Sequence, residues 1–281
     1  MKTILVTGGT DGIGKGVAMH FLKKGDRVIV ISSSPVKGEL FYNAAKQLGA
    51  DERVIFFQAN LSLVKENLRI IEEVKRMVRS LDMVVFCAAS QKFRETYLET
   101  KEGFEFTFAL YYLSRQILGY GLKDLLEETE NPVILNVCAP GMKGKIDFDD
   151  IQNKNNFNSM KTMFHGSRLN DLLGVAFDQN NTHRKIKYVL YNPWAVQTTG
   201  AFEAYKNPMI KNVMKLIYKI TGKPVEEAIK PIIRLLEHPP KISLSAYKLE
   251  KEVSLEMETF DKRNAQKLHE ITEKMLKGLP S

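Results

Sequence analysis

The sequence predicts an α/β domain built on a doubly wound parallel sheet of seven strands. Short runs rich in β-branched residues alternate with longer segments of helical periodicity, a pattern typical of a parallel sheet with helices on both faces. A chain of 281 residues buries one large core. Because no repeat, low-complexity tract or linker divides the sequence, we expect a single domain over residues 1–281.

Each predicted strand is followed by a segment in which apolar residues recur at helical spacing. The strands are expected at 3–7, 27–32, 53–58, 83–87, 133–138, 186–190 and 242–246. The helices are expected at 12–24, 38–48, 64–79, 103–128, 158–177, 225–236 and 260–276. This alternation predicts a right-handed crossover between successive parallel strands.

An insertion at 198–222 interrupts the alternation after the sixth strand. It has one apolar face and, on another, a basic stripe formed by Lys211, Lys215 and Lys219. Segments inserted at the carboxyl edge of such a sheet usually cover the substrate pocket, so we predict a helical lid here. The alternative is that the apolar face belongs to the core.

Charge and composition narrow the class of partners. The net charge of +8 is concentrated between Tyr205 and Lys248, where nine Lys and Arg stand against three Glu. One interpretation is a solvated surface, and the other is a basic rim for an acidic or carrier-bound small-molecule substrate. Nucleic acid is not expected, because no basic patch is interleaved with aromatic residues.

Several classes of protein are excluded by what the sequence lacks. The longest apolar runs are strand-sized, such as 83–89, so no transmembrane helix is expected. The first strand begins near Lys2 and leaves no room for a signal peptide, which favours a cytoplasmic location. Cys87 and Cys138 are too few for a disulfide framework or a zinc site, and no metal is expected.

The segment 7–14, Thr-Gly-Gly-Thr-Asp-Gly-Ile-Gly, joins the first strand to the first helix. Gly8 permits a tight turn, Gly12 allows a pyrophosphate to approach, and Gly14 allows close packing of the helix on the strand. The helix amino terminus offers N–H groups and the positive end of its dipole to the anion. The residues expected to contact a dinucleotide here are Gly8, Thr10, Asp11, Gly12, Ile13 and Gly14.

This turn resembles the first motif of the short-chain dehydrogenase/reductase family, Thr-Gly-x-x-x-Gly-x-Gly. Further stretches are similar to the retinol-dehydrogenase-like branch of that family, at 102–105, 108–109, 136–137, 144–148, 167–170 and 265–270. The resemblance spans almost the whole chain and implies a Rossmann-type fold with a nicotinamide dinucleotide cofactor. Members of the family often pair through helix packing, so a homodimer is one expectation.

The end of the second strand bears on which dinucleotide is bound. An NAD-specific site normally has an acidic residue there, whereas this chain has Ser32, Ser33 and Ser34 with Lys37 nearby. Hydroxyls and a cation suit a 2′-phosphate, so NADP(H) is predicted over NAD(H). In the late Pro-Gly motif, Trp194 replaces glycine and either crowds the nicotinamide pocket or packs under the lid. The resemblance implies further cofactor contacts at Asn60, Leu61, Ala88, Ala89, Arg168, Pro193, Val196 and Thr198.

The catalytic positions of the family are substituted in this chain. In the family, a tyrosine protonates the carbonyl oxygen, a lysine lowers the pKa of that tyrosine and holds the ribose, a serine positions the oxygen, and an asparagine anchors a proton-relay water. Placed by register, these positions are Phe164, Arg168, Ala139 and Tyr111. Phe164 has no exchangeable proton, and Arg168 keeps a charge that can still hold ribose hydroxyls. Ordinary ketone chemistry is therefore not expected.

Three functions stay open at this point. The first is an atypical NADP-dependent oxidoreductase acting on an iminium ion or an activated alkene, which needs no tyrosine acid. The second is a catalytically inactive pseudoenzyme that binds a nucleotide or a partner protein. The third is a non-redox cyclase or isomerase in a reshaped pocket, since fold alone does not fix chemistry. The intact phosphate-binding turn favours the first two.

Overall fold

The computed structural model describes residues 1–90, 96–142, 144–155, 157–181, 185–197, 212 and 222–279. The strands are β1 (Thr3–Thr7), β2 (Arg27–Ser32), β3 (Val54–Gln58), β4 (Met83–Phe86), β5 (Val133–Val137), β6 (Lys187–Asn192), β7 (Leu244–Lys248) and β8 (Lys251–Glu252). Within the described residues they form one sheet in the order β3-β2-β1-β4-β5-β6-β7-β8. Neighbouring strands from β3 to β7 are parallel. The strand order reverses between β1 and β4, which confirms the doubly wound α/β fold.

One strand was not foreseen. The seven predicted strands are all present, with ends shifted by at most two residues, and β8 adds an eighth. β8 is two residues long and antiparallel to β7. The chain reverses between them at Leu249, whose φ of 56° is left-handed. A strand of this length has no hydrophobic periodicity, so the sequence carries no signal for it.

The helices of the described part follow the strands as expected. They are α1 (Gly12–Lys23), α2 (Pro35–Gln47), α3 (Val64–Met77), α4 (residues 106–121), α5 (Lys123–Glu127), α6 (Ser159–Gln179), α7 (Val225–Ala228), α8 (Lys230–Glu237) and α9 (Lys262–Lys277). α4 is continuous and consists of Phe106–Phe108, a π-helical turn at Ala109–Leu113, and Ser114–Gly121. None of the described helices combines the length and the apolar character needed to cross a bilayer.

Three helix predictions differ from the structure by three residues or by a division, and the limits of the others agree within two residues. The helix expected at 103–128 begins at Phe106 and is divided at Leu122 into α4 and α5. The helix expected at 225–236 is divided at Ile229, because Pro231 lies in the first turn of α8 and has no amide to continue the preceding turn. α2 begins at Pro35, before the expected start at 38, because Ser34 caps it and proline suits the first helical position.

Two apolar cores lie on the two faces of the sheet. α1, α2 and α8 cover one face, where they bury residues such as Val17 and Ile232. α3, α4 and α6 cover the other face with residues such as Ile70 and Leu172. α9 packs on the outside of α6 and adds Leu268 to this second core. With both faces covered, the accessible part of the sheet is the edge where the parallel strands end, which is where ligands of such sheets bind.

The predicted lid falls almost entirely outside the described residues. Of the segment 198–222, only Asn212 and Gly222 are described, so the lid and the single-domain organisation stay predictions. The base of the insertion is described. Val196 pairs with Lys223 in a parallel bridge, and the amide of Gln197 donates to the carbonyl of Lys223 at 3.0 Å. The two ends of the insertion therefore lie side by side.

Replacing Leu268 with alanine should lower the free energy of unfolding by about 2–5 kcal/mol, because truncation of a buried leucine removes contacts and leaves a cavity. Leu268 is 1% exposed. The matched control is Leu40→Ala in α2, where the leucine is 61% exposed, and its effect should stay within about 0.5 kcal/mol. Urea denaturation measures both variants. Equal losses would contradict the packing of α9 against α6.

Candidate functional site

The glycine-rich segment forms a tight turn at the carboxyl end of β1. Gly8 has a left-handed φ of 66°, and its amide donates to the carbonyl of Ile31 at 2.8 Å. A Cβ on Gly14 would lie 2.4 Å from the carbonyl oxygen of Gly8, so a larger residue would push α1 off the turn. α1 begins at Gly12, whose amide donates to the Asp11 carboxylate at 2.8 Å. A helix that begins in such a turn offers its first amides to an anion.

Other residues predicted to contact a cofactor lie in this turn, in α1 and after β3. The Thr10 hydroxyl donates to the Ser32 hydroxyl at 2.8 Å. Ile13 is partly buried and packs against the core on the α1 face. Asn60 is exposed after β3, and its carboxamide oxygen accepts a hydrogen bond from the Ser62 hydroxyl at 2.8 Å. Leu61 is buried and belongs to the opposite core.

An ion pair that was not predicted links the glycine-rich turn (residues 7–14) to α2. Lys37 Nζ lies 2.5 Å from Asp11 Oδ2, and both side chains are partly exposed. Ser34 caps α2 by accepting from the Lys37 amide at 3.3 Å, and Ser33 is exposed. The cation predicted for a 2′-phosphate is therefore already balanced by a carboxylate. Pairing across 26 residues has no sequence signal beyond the opposite charges.

The end of β4 lies against the glycine-rich turn. A Cβ on Gly8 would lie 3.0 Å from Cα of Ala88, and the Ala88 amide donates to Thr7 Oγ1 at 3.2 Å. Ala89 is exposed beyond it. Small residues at these two positions leave space in the crevice between β1 and β4, where the strand order reverses.

The segment that follows β6 has an unusual backbone at Trp194. Its φ of 61° is left-handed, a conformation that favours the glycine of the family motif and is strained for a tryptophan. The ring is 56% exposed, and Lys248 Nζ lies 4.0 Å from its centroid. Pro193 and Val196 are buried on either side, whereas Thr198 lies outside the described residues. The tryptophan therefore stacks with a lysine at the surface.

Two of the positions predicted to be catalytic have side chains without an exchangeable proton. Phe164 on α6 is 47% exposed, so its ring does not serve the core. Ala139, just after β5, is half-buried, and its carbonyl oxygen accepts from Arg168 Nη2 at 2.6 Å. Ala139 and Arg168 are therefore in direct contact, while the residue at the tyrosine position offers only carbon and hydrogen.

Arg168 forms a buried ion pair with Asp171. The guanidinium is 2% exposed, and its Nη2 lies 3.0 Å from Asp171 Oδ2. The same carboxylate oxygen accepts from the Gly141 amide at 3.2 Å and from the Thr259 hydroxyl at 2.7 Å. Burial raises the pKa of Asp171 to about 7, and Arg168 opposes that shift. Arg168 Nε and Nη1 have no hydrogen-bond partner among the described residues.

Tyr111 lies in the π-helical turn of α4 and packs against α6. Its phenol oxygen is 3.4 Å from Ser167 Oγ, next to Arg168 in the sequence. A Cβ on Gly166 would lie 2.8 Å from Cδ1 of Tyr111, so the glycine makes room for the ring. Asn170 Nδ2 donates to the Tyr111 carbonyl at 2.9 Å. Such π-helical turns are frequent at functional sites.

Arg115 is a site residue that the sequence analysis missed. It is buried, its Cζ lies 4.3 Å from the Tyr111 ring centroid, and no described carboxylate pairs with it. Its partners are all neutral: the Asn136 carboxamide oxygen, the Val137 carbonyl at 3.1 Å, the Asn170 carboxamide oxygen at 3.4 Å and the Ala88 carbonyl at 3.2 Å. Arg115 therefore connects the ends of β4 and β5 with α4 and α6. The only sequence signal is its spacing of four residues from Tyr111.

Cysteine and metal chemistry find no support in the described part of the chain. Cys87 and Cys138 are both free. Burial raises the pKa of the Cys87 thiol to about 12, and burial likewise raises the pKa of Cys138. Thiols held in the neutral form are poor nucleophiles. No three histidine, cysteine or carboxylate side chains gather as metal ligands among these residues.

The chain matches proteins of one family. The family described as short chain dehydrogenase matches residues 2–146. Human polyprenol dehydrogenase is 26% identical over 54% of this chain and 47% of its own length. Human retinol dehydrogenase 14 is 24% identical over 98% of this chain and 86% of its own length. Mouse retinol dehydrogenase 12 is 28% identical over 61% of this chain and 54% of its own length. The chain thus spans about half the length of several curated relatives, and the expected similarity to retinol dehydrogenases is confirmed.

Solved structures share the fold at low sequence identity. The Pseudomonas aeruginosa RhlG/NADP active-site complex superposes with a TM-score of 0.67 and 17% identity, covering 88% of this chain and 94% of that one. The alcohol dehydrogenase of Thermococcus sibiricus, complexed with 5-hydroxy-NADP, gives a TM-score of 0.65 at 17% identity, over 89% and 96% of the two chains. At this identity the similarity establishes the fold.

Replacing Arg168 with methionine should lower the free energy of unfolding by about 3–5 kcal/mol at pH 8, because it leaves Asp171 buried without its counter-ion. The folded pKa of Asp171 lies above its unfolded value of about 3.9. Protonation therefore stabilises the folded state at low pH, and this contribution is lost as the pH rises through the folded pKa. The loss should consequently be smaller at pH 5.

Urea denaturation at the two pH values measures this effect. The matched control is Arg69→Met, which removes an exposed ion pair with Glu66 and Glu73 and should cost at most about 1 kcal/mol. The double variant Arg168→Met/Asp171→Asn should recover much of the stability. An Arg168→Met loss that is the same at both pH values, without recovery in the double variant, would contradict the ion pair.

Proposed function

The chain belongs to the short-chain dehydrogenase family, and on that premise we propose that it binds NADP(H) and reduces an iminium ion or an activated alkene without an acid at the position of the family's tyrosine. The observation that carries the proposal is the exposed phenyl ring of Phe164, at the position of the family's proton-donating tyrosine. When bound, the reduced cofactor supplies a hydride. Side chains of this protein would bind the cofactor and the substrate.

The residues present fit a nicotinamide dinucleotide. Glycine at positions 8 and 14 allows the tight turn, because a Cβ at either would press on neighbouring backbone. α1 begins at that turn, and the positive end of its dipole would face an anion bound there. Arg168 has two buried N–H groups without a partner among the described residues, and ribose hydroxyls would satisfy them. Binding is also supported by the fold, since the RhlG structure that shares it is an NADP complex.

A preference for NADP(H) is supported by the residues that follow β2. Ser33, Ser34 and Lys37 offer hydroxyls and a cation, and no carboxylate stands among them. Asp11 opposes this preference, because its carboxylate lies 2.5 Å from the Lys37 ammonium. A 2′-phosphate carries more charge than a carboxylate and competes with Asp11 for that ammonium.

The choice of substrate follows from proton demand. Hydride addition to a ketone produces an alkoxide that needs a proton, and neither Phe164 nor Ala139 can donate one. Hydride addition to an iminium carbon neutralises a positive charge already present, so no enzymatic acid is needed. In an activated alkene the charge is delocalised and the proton can come from water. The basic segment 205–248, which includes Lys223 at the base of the insertion, supports an acidic or carrier-bound substrate.

A catalytically inactive nucleotide-binding protein is the second candidate. The observation that favours it is that the Arg168 guanidinium is already bound to Asp171 and to the Ala139 carbonyl oxygen. It predicts cofactor binding without turnover. A homodimer is compatible with either candidate. A cyclase or isomerase has less support, because the glycine-rich turn is retained.

Asp11→Asn should raise the affinity for NADPH by about ten-fold, which corresponds to about 1.4 kcal/mol, and leave NADH binding nearly unchanged. The change releases the Lys37 ammonium for the 2′-phosphate, while asparagine still caps α1. Lys37→Gln should lower NADPH affinity alone. Isothermal titration calorimetry measures each affinity, and the unmodified protein should prefer NADPH. Equal affinities for the two dinucleotides in all three proteins would contradict the predicted phosphate site.

The unmodified protein should reduce iminium ions at least about 10²-fold faster than ketones of similar size, because general acid catalysis at position 164 is missing. Initial rates with NADPH and a matched panel of both substrate classes measure this ratio. Phe164→Leu is the control, since it changes the side chain without adding or removing a proton donor, and the ratio should persist. Brisk ketone reduction would show that the site has a proton donor suited to ketones.

A further inference from the structure

Tyr111 and Arg115 form, on α4, a phenol and a cation four residues apart. The corresponding pair of the family is absent from α6, where Phe164 and Arg168 stand at the tyrosine and lysine positions. The Arg115 guanidinium stacks on the Tyr111 ring at 4.3 Å. Arg168, in contrast, is bound to Asp171. The candidate site thus retains a phenol beside a buried cation, on the neighbouring helix.

The surroundings of Tyr111 are built to hold its ring at this place. The π-helical turn at Ala109–Leu113 shifts the register of α4 at this residue. Gly166 leaves the space that the ring occupies on α6, since a Cβ there would lie 2.8 Å from Cδ1. Asn170 fixes the Tyr111 carbonyl. The phenol oxygen is left with one contact among the described residues, Ser167 Oγ at 3.4 Å, which is long for a hydroxyl pair.

Arg115 supplies the positive charge that acts on the Tyr111 phenol. Its partners are neutral carbonyl and carboxamide oxygens, so its charge is not cancelled locally and acts strongly in a low-dielectric interior. Burial raises the pKa of Tyr111, whereas Arg115 lowers it, as does the contact with Ser167. Cys138 and Asp171 also face the phenol and raise its pKa. Arg115 is therefore the positive group that favours the phenolate.

We propose that Tyr111 is the proton donor of this site and that its substrate is an activated alkene, an inference that rests on the reductase function proposed above. The phenol lies opposite position 167 rather than 164, a displacement of roughly 4.5 Å along α6. In an α,β-unsaturated carbonyl, the atoms that take the proton are also displaced from the carbon that accepts hydride. In a simple ketone, the proton goes to the oxygen bonded directly to the carbon that accepts hydride. A proton donor at position 164 would suit that arrangement.

The proton and electron balance of this step is simple. A bound cofactor would supply the hydride that forms a C–H bond at the β-carbon. The electron pair of the C=C bond would then move toward the α-carbon and the carbonyl oxygen. The O–H bond of Tyr111 breaks as the new O–H or C–H bond of the product forms. The electron pair of that bond stays on the phenolate beside Arg115. Water then returns a proton to Tyr111.

The kinetic test compares two substrates in the same variants. Tyr111→Phe should lower kcat for an activated alkene by about 10²-fold or more and change KM little. Iminium reduction should fall far less, because that product needs no proton. Tyr112→Phe is the matched control: it removes the neighbouring phenol, which bonds Thr272 and Gln116 on the side of α9, and should affect neither rate. Equal loss with both substrates in Tyr111→Phe would overturn the proposal.

A second measurement needs neither cofactor nor substrate. In protein labelled with 3-fluorotyrosine, the Tyr111 fluorine resonance is identified by its loss in Tyr111→Phe, and its chemical shift is followed against pH. Arg115→Gln should move the titration midpoint to higher pH, and Arg115→Lys should move it less. If Arg115→Gln fails to fold, Asn136→Asp places a carboxylate against the guanidinium and should cause the same upward shift. An unchanged midpoint would overturn the role of Arg115.

The two measurements separate this inference from the proposed function. If the unmodified protein reduces neither substrate, the proposed function fails and Tyr111 as a proton donor fails with it, while the titration still reports the effect of Arg115. If both substrates are reduced and Tyr111→Phe does not distinguish them, the proposed function stands and the role of Tyr111 is overturned.

Discussion

The buried ion pair between Arg168 and Asp171 holds together the candidate site at the edge where the parallel strands end. Asp171 Oδ2 receives the guanidinium at 3.0 Å, the Gly141 amide at 3.2 Å and the Thr259 hydroxyl at 2.7 Å. One carboxylate thus connects α6, the loop after β5 and the segment that leads into α9. Such a pair is costly to bury and costlier to break. A charge that serves a structural role of this kind is poorly suited to taking part in proton transfer.

The chemistry of the site follows from where the remaining polar groups lie. Phe164, at the predicted tyrosine position, is exposed and has no exchangeable proton, and Arg168 is paired with Asp171. The other buried cation, Arg115, lies beside Tyr111 and bonds the ends of β4 and β5 through Ala88 and Val137. The charge of Arg115 is therefore held next to the Tyr111 ring. Our proposal is that this placement favours substrates whose negative charge develops away from the carbon that accepts hydride.

The sequence was sufficient for the fold, because periodicity and glycine placement are local. Strand ends agree within two residues, and the turn around Gly8 has the backbone that its glycines predicted. Contacts between distant segments could not be predicted from the sequence, since the charge of a residue does not identify its partner. The Asp11–Lys37 pair, the Asp171 cluster and the burial of Arg115 are of this kind. The π-helical turn at Tyr111 was missed because it differs from an α-helix only in register. The cofactor preference and the catalytic positions stay predictions.

The most direct test of the central claim follows the hydride itself. The protein is incubated with an iminium ion or an activated alkene and NADPH that carries deuterium at both C4 positions of the nicotinamide. Mass spectrometry then gives the deuterium content of the product and its position. Our account predicts one deuterium per product molecule, on the iminium carbon or the β-carbon. Product without deuterium would contradict reduction by this cofactor, and bound NADPH without any product would identify the chain as a nucleotide-binding protein that has lost catalysis.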